Sequence, residues 1–443
     1  MTWHTYDTWI VIIGALAAAA CALPGCFLVL RRMSLMGDAI AHAVLPGIAI
    51  AFVLTQSRSS LPMFLGAVAV GILTAVLTQW IQKTGRVESQ AALGIVFTSL
   101  FALGLIFMEQ FAHAVHLDVD CVLYGAIEYA PLDTVSLAGT VALPRAAVVN
   151  GSMLLVNVAF LVLFYKELKI SSFDPQLATT VGINANVMHY LLMGLVAATV
   201  VAAFESVGSI LVIAMLIVPG AAAYLLTDRL GVMLLLAGLI AVASAVFGHA
   251  GAIMLPPLVG FPDTLTSGMM AVAAGTIFLV AMLAGPRHGV VVRMATQLGL
   301  GVRVAQQDLL ALLYRIEETQ AAKRQAGGAV VAPGLSAAEA RALLALDPLR
   351  RVLTLTGLGR RGAVTRERAR YSLTDAGRAE ARDLVRSHRL WETYLDRFAA
   401  VRPDHLHLSA ERLEHATDAA MQRELAQRTG SPEQDPQGRH IPD

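Results

Sequence analysis

Asp38 and His42 lie four residues apart in the apolar stretch LRRMSLMGDAIAHAVLPGIAIAFVL, which begins at Leu30. That spacing puts both on one helix face. Ionisable groups inside an apolar helix are costly and are usually kept for function. A carboxylate beside an imidazole is half of a ligand set for a borderline divalent ion such as Mn2+ or Zn2+. Far along the chain, His388 and Glu392 repeat the four-residue spacing within RSHRLWETYL. HLHLSAERLEHA, from His405, carries His407, Glu411, Glu414 and His415. Spacings of three and four bring Glu411, Glu414 and His415 to one face. One such pair reads as a solvated polar face, but two clusters so spaced point to metal. Carboxylates with imidazoles and no thiolate suit Mn2+ or Fe2+.

These residues belong to two different kinds of chain. The composition is 56% hydrophobic and 15% charged, but the average hides a division. Through Pro286 long apolar runs dominate; from about Arg303 the sequence is rich in Arg and Glu. A spanning helix needs roughly 20 apolar residues. Such runs are centred near Gly14, Ile48, Val70, Phe101, Leu155, Val196, Ile213, Leu239 and Ile277. They predict eight or nine transmembrane helices, the short Ser206 to Pro219 stretch being the ambiguous one. Basic residues at Arg31, Arg32, Lys83, Arg86, Lys166, Lys169, Arg229 and Arg287 to Arg293 mark cytoplasmic ends. The N-terminus, free of Lys and Arg through Trp9, is expected outside and the C-terminus inside, which favours nine spans in a multi-pass inner-membrane protein. The first helix lacks the basic start of a cleaved signal peptide.

Three cysteines, Cys21, Cys26 and Cys121, form no CxxC motif; the first two read as packing residues in an apolar helix. Glu205, at the start of a span, is a further ligand, a gate or a solvated mouth residue. His113, His116, Asp118 and Asp120 form an acidic, His-bearing outer loop, and His249 and Asp263 are weaker candidates. Pro219-Gly220 is expected to break its apolar run, leaving a short helix from Ala221 to Leu226 that Thr227-Asp228-Arg229 ends. That helix is either a docking lever for a soluble partner or an ordinary Pro-kinked connection. There is no GxxxxGK[ST] loop, so the chain is not itself an ATPase.

In the polar part, DLLALLYRIEE and LSAAEARALLAL read as helices, the second opened by a capping box of Ser336 and Glu339. GAVTRERARYSLT alternates like a small hairpin, and Thr374-Asp375 caps a long helix. Helices followed by a two-stranded wing indicate a winged helix-turn-helix. Gln422 to Asp443, polar and containing Pro432 and Pro436, is expected to be a loose tail.

RRMSLMGDAIAHAVLPG, SSFDPQLATTVGI from Ser171 and GSILVIAMLIVPGAAAYLLTDRL from Gly208 resemble the permease subunits of the manganese/zinc/iron ABC importers, over most of Trp9 to Val292. The resemblance implies a permease homodimer, or a heterodimer with a paralogue. It also implies ATPase subunits carrying a Walker A motif and an extracytoplasmic metal-binding protein. It puts Asp38, His42 and Glu205 on the transport path. Pro219, Gly220, Ala221, Ala222, Ala223, Tyr224, Leu225, Leu226, Thr227, Asp228 and Arg229 become the helix that couples to the ATPase.

From about Val304 to Ala420 the chain resembles the metalloregulators of the diphtheria-toxin-repressor type, through LYRIEE, RSHRLWETYL and AERLEHA. The resemblance places Asp308, His388, Glu411, Glu414 and His415 at primary-site positions, and Glu392 and His407 at ancillary ones. Glu411 stands where iron-type members have Cys, which leans toward manganese; Ala311 departs from the manganese type, which has a further carboxylate there. Arg350, Arg351, Arg360, Arg361, Arg366, Arg368 and Arg370 would serve DNA phosphates, the ATPase subunit or the anionic inner face of the membrane. The helix expected to read bases is poor in Asn, Gln and Ser.

The expected fold is an all-α polytopic membrane domain (1–292), a linker (293–303), a cytoplasmic winged-helix domain (304–374), a helical metal-binding and dimerisation region (375–421) and a tail (422–443). The expected function is ATP-driven import of a divalent metal, manganese first, with cytoplasmic metal sensing. A zinc or iron permease and a membrane-tethered, metal-dependent DNA-binding regulator are the alternatives.

Overall fold

The structure is a computed structural model. It describes residues 3–55, 60–111, 125, 127–137, 141–261, 264–286, 289–327, 334–344, 347–367, 370–399 and 402–442, and the structural statements below concern these residues. His113, His116, Asp118, Asp120, Cys121, Asp263 and Arg368 lie outside them. Two compact units divide the chain, Met1–Val292 and Arg293–Asp443.

The first unit is helical. Its elements are α1 (Thr5–Leu30), α2 (Leu35–Thr55), α3 (Ser60–Gly85), α4 (Ser89–Phe111), a small antiparallel hairpin of β1 (Thr134–Leu137) and β2 (Val141–Pro144), α5 (Arg145–Leu163), the short α6 (Tyr165–Phe173) and α7 (Pro175–Thr180), α8 (Ala185–Leu226), α9 (Leu230–Met254), the short α10 (Pro256–Val259) and α11 (Thr266–Ala284). Among the described residues nine helical stretches are long and apolar enough to cross a membrane. Two of them, Ala185–Phe204 and Ser206–Leu226, come from α8. Gly208, two residues into the second stretch, breaks the helix: its backbone (φ 77°, ψ 165°) is open to glycine and strained for any other residue.

The break therefore falls at Gly208 and not at Pro219-Gly220, as the sequence led us to expect. The helix runs through Pro219 to Leu226, so Ala221 to Leu226 is the end of a span and no separate short helix. Proline is tolerated in membrane helices because an apolar surround penalises every backbone group that leaves the helix. Close packing on α1 accompanies this continuity. A Cβ on Gly25 of α1 would lie 1.8 Å from the Leu216 carbonyl oxygen, and one on Gly220 3.3 Å from the Cys26 backbone. Such backbone-to-backbone contact through small residues is the usual adhesive between membrane helices. Phe27, Leu211, Met215 and Leu216 fill the core around it, and Cys21 and Cys26 are buried free thiols, as packing residues should be.

The second unit starts within α12 (Val290–Gln325), so residues 293–303, the expected linker, are helical. Gly299 and Gly301 weaken that stretch by about 1 kcal/mol each relative to Ala, but no proline interrupts it. Then come β3 (Leu335–Ser336), α13 (Ala337–Leu344), α14 (Pro348–Arg360), β4 (Val364–Glu367) and β5 (Arg370–Leu373). The sheet order is β3-β5-β4, and the β4–β5 hairpin pairs Val364 with Leu373 through Glu367 with Arg370. The capping box forms: the Ser336 amide donates to Glu339 Oε2 at 2.7 Å and the Glu339 amide to Ser336 Oγ at 3.1 Å. Leu309, Leu310, Leu313, Leu358 and Ala381 are the centre of this winged-helix core.

Thr374 accepts from the Gly377 amide and opens α15 (Asp375–Phe398), which is followed by α16 (Pro403–Glu414) and α17 (Ala419–Arg428). The segment from Gln422 on is no loose tail. After α17 the chain folds back onto α15, burying Ile441 with Leu390 and Leu425. Arg389 bonds the His440 carbonyl, and Arg386 that of Pro442 at 2.5 Å. Asp435 takes the amides of Gln437 and Arg439, forming a tight turn.

Candidate metal centres

Asp38 and His42 do share one face of α2. His42 Nε2 is 3.3 Å from Asp38 Oδ1, and both side chains are about one third exposed. The imidazole stands edge-on to Phe101 and tilted to Phe97. Among the described residues no third His, Cys, Asp or Glu joins them to make a closed metal cluster. Glu205 lies in α8 three residues before the Gly208 break; its side chain is outside the description. His249 belongs elsewhere: it is buried, with Nε2 3.4 Å from Asp7 and Nδ1 3.4 Å from Thr266 Oγ1. Of the expected coupling residues, Pro219, Gly220, Ala222, Ala223 and Thr227 are buried, while Tyr224, Asp228 and Arg229 are exposed.

The second unit gathers its candidates far more tightly. α15 supplies His388 and Glu392 from successive turns, α16 supplies His407 and Glu414 with His415 capping its end, and α12 supplies Asp308. Two groups result, His388/Glu392/His407 and Asp308/Glu414/His415, with the donor atoms of each within 4.8 Å of one another. In the first, Glu392 Oε1 lies 3.1 Å from His388 Nε2 and 3.0 Å from His407 Nδ1. In the second, His415 Nε2 is 3.2 Å from Asp308 Oδ1 and 3.9 Å from Glu414 Oε1. A contact of 2.5 Å between His388 Nδ1 and Glu414 Oε2 joins the two groups into one chain of donors.

Glu411 joins neither group; it is exposed, one turn before His415. Ala311 packs on Leu384 and Val385 in an apolar cluster, so the position of the missing carboxylate is filled by core.

The electrostatics follow from burial. Burial disfavours charge on His388, but its hydrogen bonds to Glu392 and Glu414 outweigh this and raise its pKa above the ordinary 6.5. Burial likewise pushes the Glu392 carboxyl up, yet the His388 and His407 contacts prevail and hold it down at about 2. The hydrogen bond to Asp308 raises the His415 pKa against burial, with smaller help from the charges of Glu414 and Glu411.

A divalent cation fits this donor set. Glu392 is fully buried and its Oε2 has no hydrogen-bond partner. A buried carboxylate oxygen without a partner is expensive unless something positive meets it. Three carboxylates and three imidazoles with no thiolate favour Mn2+, Fe2+ or Zn2+ over softer ions. A cleft lined by Gln307, Ser387, Glu414, His415 and Gln422 opens beside the Asp308 group.

Two contributors escaped the sequence reading. Gln307 Oε1 accepts a hydrogen bond from His415 Nδ1 at 2.9 Å, fixing that imidazole from the far side. Gln437 Nε2 reaches Glu392 Oε1 at 3.4 Å from the C-terminal turn. The Asp435-Pro436-Gln437-Gly438 sequence is a turn signal, but nothing in it says where the turn docks.

The family described as the ABC 3 transport family matches residues 5–285. The chain belongs to that family. A second description, the iron dependent repressor metal binding and dimerisation domain, matches residues 374–443. This ABC 3 chain is thus a permease of the manganese and zinc ABC transporter kind, fused to a metal-dependent repressor domain. Among its relatives is the manganese transport system membrane protein MntD of Bacillus subtilis, 44% identical over 67% of this chain and 98% of that protein. The zinc transport system membrane protein TroD of Treponema pallidum is 45% identical over 70% of this chain and 83% of its own length. A solved structure of PsaBC from Streptococcus pneumoniae in complex with Fab matches 64% of this chain and 94% of its own, at 30% identity and a TM-score of 0.53.

Proposed function

We propose that this chain is the permease subunit of an ATP-driven manganese importer, and that its C-terminal unit is a cytoplasmic manganese sensor acting on transport. Asp38 and His42, with Glu205, line the path of the transported ion. A separate ATPase subunit supplies the energy and meets the end of α8 and the turn after it, at Tyr224, Asp228 and Arg229. An extracytoplasmic binding protein delivers the ion, and two permease chains form the pore.

One observation carries the sensor reading. Every proposed ligand of the C-terminal unit except Glu411 converges in one connected, mostly buried cluster, and that cluster contains an unpartnered carboxylate oxygen. His388, Glu392 and His407 would hold an ion on one side of the His388–Glu414 contact, and Asp308, Glu414 and His415 on the other. The bound cation supplies a positive centre for these carboxylates; the chain's own residues set its position and the spacing of α12, α15 and α16.

The choice of manganese rests on hard oxygen and imidazole donors without sulfur. Zinc is the second reading, favoured by the TroD relative. Uptake measured in cells preloaded with manganese tests the sensor. The parent should import less as internal manganese rises, and a His388→Ala chain should import at a constant rate. Equal sensitivity in both would sink the feedback reading, and loss of sensitivity to zinc alone would transfer it to that metal.

A further inference from the structure

Helix α14 occupies the position at which a winged-helix protein normally presents polar side chains to base edges. Here its outward face is aliphatic. Leu349, Val352 and Leu353 are 59%, 54% and 41% exposed. With Thr356 they form an i, i+3, i+4, i+7 stripe, opposite the buried Thr354 and Leu358. The Thr356 hydroxyl donates to the carbonyls of Val352 and Leu353 in its own helix, so it turns a methyl outward. Arg350 flanks the stripe, and Arg360 and Arg361 close its C-terminal end, all exposed.

An exposed aliphatic stripe with guanidinium groups at its margins is poorly suited to reading DNA, where hydrogen-bonding side chains must face the bases. It has the form of an interfacial helix, whose apolar face enters the acyl boundary while its cations stay with lipid phosphates. The chain itself brings the unit to a bilayer, since the nine apolar helical stretches among the described residues precede α12 on the same polypeptide.

We propose that α14 docks on the surface of an anionic bilayer, with Leu349, Val352 and Leu353 inserted and Arg350, Arg360 and Arg361 on lipid phosphates. The aliphatic stripe is separate from the metal cluster; only Arg350, beside Gly301 of α12, shares a cleft with Asp308, and the proposal holds whichever metal is carried. Each arginine near an anionic lipid surface contributes roughly a fivefold change in the docked-to-undocked ratio.

The test uses the full chain in lipid nanodiscs of phosphatidylcholine alone or with an equal amount of phosphatidylglycerol. Cys121→Ser and Val352→Cys place one polarity-sensitive fluorophore on the stripe, Cys21 and Cys26 being buried. Emission should shift to the blue and be quenched by brominated lipid in the anionic discs only. Arg350→Gln, Arg360→Gln and Arg361→Gln should each lower the docked ratio about fivefold. Hydrogen exchange of residues 349–353 in the unlabelled chain should slow in the same discs, which guards against an effect of the label. Identical emission and exchange in both lipids would overturn the proposal. So would a blue shift that appears only on adding duplex DNA or the ATPase subunit. Because metal is absent from every arm, failure here leaves the sensor reading standing, and the uptake experiment leaves this one standing.

Discussion

Glu392→Gln isolates the C-terminal metal centre from the rest of the molecule. The substitution preserves the size of a fully buried side chain and removes its charge. Glu392 Oε1 already takes the imidazoles at 3.0 and 3.1 Å, and Oε2 takes nothing. An amide must put its NH2 group at one of those two places. Either the imidazoles lose their acceptor, or the free donor aimed into the cluster becomes a group that repels a cation. A unit charge pair 4 Å apart is worth about 4 kcal/mol at an effective dielectric of 20, and a divalent ion doubles that. More than half is offset by the carboxylate desolvation that the substitution relieves. The expected net loss is about 3 kcal/mol, roughly 100-fold in affinity. Equilibrium dialysis of Mn2+ against the detergent-solubilised full chain reads this directly, in an Asp38→Ala background that removes the membrane pair. An affinity within about threefold of the parent, or 0.7 kcal/mol, would refute the assignment of Glu392 as a ligand.

Gly25→Val should separate α1 from α8, since the first added carbon already falls 1.8 Å from the Leu216 carbonyl; we expect at least about 3 kcal/mol of destabilisation, seen as aggregation or early unfolding on detergent gel filtration. Ile441→Ala should cost about 2 kcal/mol through the cavity it leaves under the C-terminal turn, and urea unfolding of the chain followed at Trp391 checks it. The metal-free second unit should resist urea best between pH 4.5 and 6.5, the ordinary values of the two groups. The Glu392 contribution is complete above 4.5 and fades as pH falls toward about 2. The His388 contribution is complete below 6.5 and fades as pH rises through its raised folded value. Stability that keeps climbing into the alkaline range contradicts this assignment.

Periodicity carried much of the fold because spans and helix faces are local properties. The apolar runs located the membrane helices, and four-residue spacings placed His388 with Glu392 and Asp38 with His42 on shared faces. Pro219 misled because its breaker reputation comes from water, where a freed carbonyl is easily solvated; against α1 the helix continues. Gly208, the real break, is one glycine among 36, and only its backbone angles distinguish it. The C-terminal turn was misread for a related reason. Its polar, proline-containing composition resembles disorder, and what fixes it is a handful of distant contacts, Arg389 with the His440 carbonyl and Ile441 against Leu390 and Leu425. Asp308 and His415 meet across more than a hundred residues, a pairing that the family resemblance supplied and that no spacing could. Glu411 obeys the helical spacing and still lies outside the cluster, because sharing a face with Glu414 and His415 does not bring a side chain to the same depth.

The chain of donors through the second unit ties its two groups together. Asp308, Glu414 and Glu392 alternate with His415, His388 and His407. The link between the groups is the 2.5 Å contact of His388 on α15 with Glu414 on α16. A cation in either group would take up a lone pair that this contact now uses. The two groups would then fill as one coupled unit, and filling would change how α15 and α16 lean on each other. A signal of that kind is mechanical, and it should survive high salt.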